Sequence, residues 1–163
     1  VNEPNNQIVE EEPDIALADL LSPGRVCLQL HVASQKRLLE EMASLLVRDD
    51  ASLEKDNVFR ALIERERLGS TAIGNGVTLP HGRIPELDSP VMAFATLKPP
   101  LTADSPDDLP ISLVVGILVP EESADVHVRL LSKIAKAFAD PERCLEIESA
   151  NSPDEAVRLI VDS

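Results

Sequence analysis

Gly69-Ser70-Thr71-Ala72-Ile73-Gly74-Asn75-Gly76-Val77-Thr78-Leu79-Pro80-His81-Gly82 gathers four of the chain's six glycines into one segment. Glycine loses more backbone freedom on folding than any other residue. A cluster of glycines therefore marks unusual dihedrals or a backbone that must approach something closely. Gly74-Asn75-Gly76 has the composition of a hairpin turn, and it joins two short predicted strands, Thr71–Ile73 and Val77–Leu79. His81 stands between Pro80, which fixes φ on one side, and Gly82, which frees it on the other. That frame predicts a shaped turn, not a regular element, that presents a ring nitrogen to a partner. Local composition leaves a second reading open, a glycine-rich hairpin with a solvated histidine.

The same segment excludes several chemistries. Gly69 and Gly74 have Walker A spacing, but Asn75 stands where the lysine is required. Gly74-Asn75-Gly76 lacks the third glycine of a dinucleotide fingerprint, and there is no GxSxG elbow.

Outward from the glycine run, the pattern alternates between the two regular structures. Asp14–Leu21 reads as a short helix with Asp14 as its cap, ended near Ser22-Pro23-Gly24. Val26–Leu30 reads as a strand. Ser34 caps a helix over Gln35–Arg48 with Leu38, Leu39, Met42, Leu45 and Leu46 as its apolar stripe. Ser52 or Asp56 starts a second helix, with Val58, Phe59, Leu62 and Ile63 inward and Glu64-Arg65-Glu66-Arg67 at its end, stopped by Gly69. Val91–Leu97 is a strand, and the almost wholly apolar Ile111–Val119 is a central strand buried on both faces. Ser123–Ala139 is an amphipathic helix. Two shorter helices follow, around Glu142–Glu148 and over Pro153–Val161, the last capped by Ser152. This alternation predicts an α/β fold with helices on both faces of a sheet.

Composition narrows the function classes. The 163 residues fit one domain, and 44% hydrophobic content supports a true core. With three Phe and no Trp or Tyr, that core is built from Leu, Ile, Val and Ala, and no aromatic platform exists for single-stranded nucleic acid. The net charge of −14 opposes nucleic acid and anionic membrane surfaces. Residues 1–24 hold six acids and no Lys or Arg, which leaves −8 on the remainder. Residues 1–13 read as a disordered acidic arm, and residues 14–163 as the folded domain. Cys27 and Cys144 have no metal spacing and suit reduced thiols in a cytoplasmic protein. No apolar run reaches membrane-spanning length, and the N-terminus lacks signal-peptide character. The three histidines fit no ligand motif, so neither metal nor cofactor is expected.

The run GSTAIGNGVTLPHG resembles the active-site segment of enzyme IIA domains of the fructose/mannitol family, part of the bacterial phosphoenolpyruvate-dependent phosphotransferase system. GST, IGNG and PHG together are most similar to the nitrogen-regulatory enzyme IIA. The resemblance runs from about Leu20 to Asp162. It also rests on Glu64-Arg65-Glu66-Arg67 before the glycines, Leu118-Val119-Pro120 closing a strand, and Asp125-Val126-His127 opening a helix. The chain departs from the family at Leu101-Thr102-Ala103-Asp104, where members often carry an aromatic-Asp pair, and at Ser112, where an acid is common.

The resemblance implies a type-2 EIIA domain: a single-domain, three-layer α/β sandwich around a mixed, mainly five-stranded sheet. It implies phosphoryl transfer through His81, with Nε2 as the attacking atom. Imidazole suits that work, since its unperturbed pKa of about 6.5 leaves much of it neutral near pH 7. Family spacing selects Arg65 as the fork for phosphoryl oxygens; by residue type alone Arg65 and Arg67 are equivalent surface partners of helix carboxylates. His127 matches the family's second histidine and would restrain the phosphoryl group, while a solvent-facing helix histidine is the other reading. His31, at a strand end without a glycine frame, has no assigned role.

Two functions fit the resemblance. One is a regulatory phosphocarrier, loaded by an HPr-like phosphocarrier protein, that binds targets such as potassium-transport or sensor-kinase components according to its phosphorylation state. The other is a sugar-specific IIA component passing phosphate to a IIB domain for fructose or mannitol uptake. A third possibility, of a different class, is a binding module whose histidine is never phosphorylated. The joint presence of His81, Arg65 and His127 argues against it.

Overall fold

The computed structural model describes residues 15–85, 87–122 and 124–162. Among them lie six strands and five α-helices: β1 (Val26–Leu30), α1 (Gln35–Leu46), α2 (Lys55–Arg67), β2 (Ala72–Gly74), β3 (Val77–Thr78), β4 (His81–Ile84), β5 (Val91–Leu101), β6 (Ile111–Pro120), α3 (Ala124–Ala137), α4 (Pro141–Glu148) and α5 (Pro153–Val161). The strands form one mixed sheet in the order β1-β5-β6-β3-β2, with β4 also paired to β6. β5 runs antiparallel to β6, whereas β3 and β4 run parallel to it.

β6 is the keel of the sheet. Every residue from Ile111 to Val119 is buried, as its unbroken apolar run predicts. Side chains alternate across the sheet with the period of two that a strand imposes. Met92, Phe94, Leu113, Val115 and Ile117 face a core shared with Leu130 and Ile134 of α3, Phe138 just after it, Ile147 of α4 and Ile160 of α5. Ala93, Ala95, Val114 and Leu118 face Leu38, Leu39, Met42 and Leu46 of α1 and Val58 and Leu62 of α2. Gly116 lets α1 settle closely, because a Cβ there would lie 2.9 Å from Met42 Cε. The result is the three-layer sandwich expected.

Two caps sit where the sequence places them. Ser34 accepts from the Arg37 amide and Ser152 from the Glu155 amide. Elsewhere local reading loses to tertiary context. The helix expected over Asp14–Leu21 is only a 3₁₀ turn at Leu17–Asp19, with no side-chain cap on Ala16. Leu17, Leu20 and Leu21 are drawn into the core instead. Asp14, its expected cap, lies outside the described residues, as do the acidic arm over residues 1–13 and Ser123, the expected start of α3. α2 begins at Lys55 with neither Ser52 nor Asp56 as its cap. Ser52 is committed to a turn, its amide and hydroxyl both donating to Asp50 Oδ1. β5 continues past Leu97 to Leu101, and β4 is a strand beyond the five expected.

Candidate functional site

The glycine run wraps tightly on its own scaffold. Gly74, Asn75 and Gly76 have φ of 97°, 57° and 75°, three successive left-handed residues that reverse the chain between β2 and β3. The Asn75 amide donates to Asp107 Oδ2 at 2.8 Å, and its side-chain Nδ2 donates to the carbonyls of Phe138 and Ala139, each at 3.2 Å. The Gly76 carbonyl accepts from Ser112 and Leu113. A Cβ on Gly76 would stand 2.9 Å from Ser112 Oγ. The close approach that the glycines predict is therefore to the start of β6. Both hydroxyls of the preceding Ser70-Thr71 pair are also used internally. Ser70 donates to the Asp104 carbonyl at 2.7 Å, and Thr71 donates to Glu66 Oε1 at 2.7 Å, with Thr78 3.2 Å from the Thr71 oxygen.

His81 opens β4; it does not sit in a free turn. Its strand pairs with Ile117–Pro120 of β6, and the Pro80 carbonyl accepts from Ile117 N. Pro-His-Gly has turn chemistry, but pairing with β6 prevails. The side chain is 7% exposed, so it is packed, not solvated.

Nδ1 of His81 lies 2.8 Å from the Leu79 carbonyl. A carbonyl only accepts, so Nδ1 carries the proton and Nε2 of the neutral ring holds a free lone pair. Burial keeps the imidazole below its usual pKa; the Leu79 bond works in the opposite sense, and Arg65 adds to the lowering. The ring is thus biased to the neutral form.

His127, in the first turn of α3, meets His81 edge to face with ring centroids 5.0 Å apart. Its pKa too is lowered, by burial and then by His81, Arg83 and Arg65. Arg65, in the last turn of α2, donates from Nη1 to the Gly69 carbonyl at 3.0 Å. Two clefts adjoin the imidazole. One, of about 260 Å³, is lined by Arg65, Leu68, His81, Gly82, Arg83 and His127 among others. The other, of about 370 Å³, includes Arg65, Ser70, Ile73, His81 and Leu131. The structure brings together His81, His127 and Arg65. Arg67 lines neither cleft, and His31 lies exposed just past the end of β1.

Two neighbours escape sequence reasoning. Arg83 donates from Nε to His127 Nδ1 at 3.2 Å. Once His81 is known to lie in a strand, the two-residue spacing puts Arg83 on the same face; as a turn residue it carries no such signal. Glu66 is the second. Its Oε2 is buried without a hydrogen-bond partner among the described residues, and its charge works against the net lowering of the His81 pKa. The assembly offers a neutral nitrogen nucleophile, two guanidinium groups and a second imidazole around one cleft, which suits a phosphoryl group in transit.

The family described as "Phosphoenolpyruvate-dependent sugar phosphotransferase system, EIIA 2" matches residues 19–163. A nitrogen regulatory protein of Pseudomonas aeruginosa is 34% identical over 148 residues, covering 91% of this chain and 96% of its own. The crystal structure of nitrogen regulatory protein IIA-Ntr from Neisseria meningitidis superposes with a TM-score of 0.82 at 34% identity, covering 88% of this chain and 98% of that one. IIA mannitol from Escherichia coli, 21% identical, shares the fold with a TM-score of 0.72, covering 86% of this chain and 98% of its own.

Proposed function

The chain belongs to the EIIA 2 family of the phosphoenolpyruvate-dependent sugar phosphotransferase system, and on that premise we propose that it is a regulatory phosphocarrier of the nitrogen-related branch. His81 takes a phosphoryl group from an HPr-like carrier, and the chain then binds or releases cytoplasmic target proteins, such as potassium-transport or sensor-kinase components, according to its phosphorylation state. One observation carries the reading: the Leu79 carbonyl accepts from His81 Nδ1–H, which leaves the Nε2 lone pair free.

In this mechanism the Nε2 lone pair attacks phosphorus as the P–N bond of the donor phosphohistidine breaks, and the donor imidazole leaves with that electron pair. Positive charge develops on the His81 ring, and the carbonyl at Nδ1 stabilises it. Arg65 presents the remaining N–H groups of its fork to the phosphoryl oxygens. His127 supplies a further donor. Exposed Leu68 and partly exposed Ile73 stand on the cleft walls, where apolar side chains suit a docking partner that excludes water from the transfer.

The test is reconstitution. With phosphoenolpyruvate, an enzyme I and an HPr-like carrier, intact-mass analysis at neutral pH should show one acid-labile phosphoryl group. His81→Ala should abolish it while circular dichroism shows a retained fold. Phosphoryl uptake by the His81→Ala protein would overturn the assignment. The group adds roughly −1.5 to −2 charges, so affinity for a regulated partner should change at least ~10-fold, about 1.4 kcal/mol, between the two forms. Equal binding by both forms, with fast transfer to a IIB domain, would establish the sugar-uptake alternative instead.

A further inference from the structure

We propose that Arg83 is a positioning residue for phosphoryl transfer, holding His127 in the one tautomer that offers its Nε2–H to the cleft shared with His81. The inference rests on the phosphocarrier reading and goes beyond it, because Arg83 belongs to neither the glycine run nor the three residues picked out by resemblance.

The argument starts from what a guanidinium can do. It stays protonated throughout the accessible pH range and has no acceptor. Where Arg83 Nε lies 3.2 Å from His127 Nδ1, the guanidinium must be the donor and Nδ1 must be bare. A neutral imidazole carries one proton, which then resides on Nε2. His127 is thereby fixed as a donor at its other nitrogen. A phosphoryl group presents only acceptor oxygens, so the opposite tautomer would turn a lone pair toward it.

The placement of Arg83 makes the device local. β4 carries His81 and Arg83 on one face, and its pairing with β6 fixes both backbones, His81 opposite Ile117 and Arg83 opposite Val119. The nucleophile and the group that orients its neighbour therefore move as one piece. His127 comes from α3, on the far side of the same cleft. The charged and titratable groups that line the cleft with it are His81 and Arg83 from β4 and Arg65 and Glu64 from α2, of which His81, Arg83 and Arg65 act on its charge. A protonated His127 would set an N–H against the Arg83 N–H and add a cation beside two others. That penalty agrees with its lowered pKa, for which burial is the larger cause and Arg83 a contributor.

Nitrogen-15 NMR of the unphosphorylated full chain reads the tautomer directly. In the wild-type protein the His127 Nδ1 signal should have the shift of an unprotonated nitrogen. In Arg83→Met it should move toward the tautomer average, and the His127 titration should move to higher pH. Phosphoryl uptake from the HPr-like carrier should slow about tenfold in kcat, in the range of one lost orienting contact, with KM changed less than twofold. In a His127→Ala background the same Arg83→Met change should have little further effect, since Arg83 acts through His127. An unshifted His127 signal, or an equal loss in the His127→Ala background, would overturn the proposal. Failure of the wild-type protein to accept phosphate would instead overturn the phosphocarrier reading and any role in transfer, and the NMR arm separates the two.

Discussion

The proton on His81 determines whether the residue can act at all. Free histidine titrates at 6.5, and burial lowers the value for both His81 and His127 in the fold. Below 6.5 the unfolded chain binds protons that the folded chain refuses, so stability rises with pH in that window. The contribution of the two rings is complete above 6.5 and is lost as pH falls through their folded values. Urea denaturation from pH 7 downward should therefore show a midpoint that falls, with a shallower slope in the His81→Ala/His127→Ala double variant. The acid limb of phosphoryl uptake should likewise lie below 6.5, since the neutral nucleophile persists there; a limb at or above 6.5 would contradict the burial argument. The glycine-rich segment draws attention to His81, but the Pro80–Gly82 frame leaves a solvated loop histidine equally open and predicts a turn where a strand forms, so its proposed role comes from the resemblance. Arg65 is legible only through family spacing, because Arg67 matches it in type and charge. Arg83 is not legible, because its partner lies 44 residues away on another element.

At the scale of elements, the β2–β3 hairpin holds the site from behind. Asn75 combines a left-handed backbone with an amide and a side chain that tie the turn to the loop before β6 and to the end of α3. Asn75→Gly keeps the backbone conformation and loses the side-chain bonds; Asn75→Ala loses both. The Ala variant should be the less stable of the two by roughly 1 kcal/mol, and both should fall below the wild type by 1–3 kcal/mol, of the order set by unpaired carbonyls and left-handed strain. Chemical denaturation measures the order, and an Ala variant more stable than the Gly one would refute it. α1, α5 and β6 were legible because their caps and apolar patterns are local. β4 was not, since four residues of Pro-framed, glycine-containing sequence become a strand only through the partner that β6 supplies. The missing first helix has the same kind of cause: three leucines find more burial in the core than a helical turn would give them.

Over the whole molecule, the sheet separates two apolar clusters, and their buried residues run from Leu17 to Ile160. Residues 1–13 lie outside the described residues, and their polar, acidic sequence reads as an arm and not as core. They carry four acids and no bases, so their removal takes the net charge from −14 to −10. A chain lacking them should melt within about 2 °C of the full protein, the shift expected when well under 1 kcal/mol is lost. A larger drop would assign the arm a structural role. The seating of β4 on β6 also has a consequence for timing. On the phosphocarrier reading, the acceptor nitrogen rides on a strand fixed along the inner β6, so its backbone is in place before a partner arrives. A phosphocarrier of the kind proposed would then work as a preset socket, with the tempo of the relay set by what plugs into it: how often a partner arrives, and how long it stays. Its output can then be retuned through partner abundance alone, with every atom of the socket unchanged.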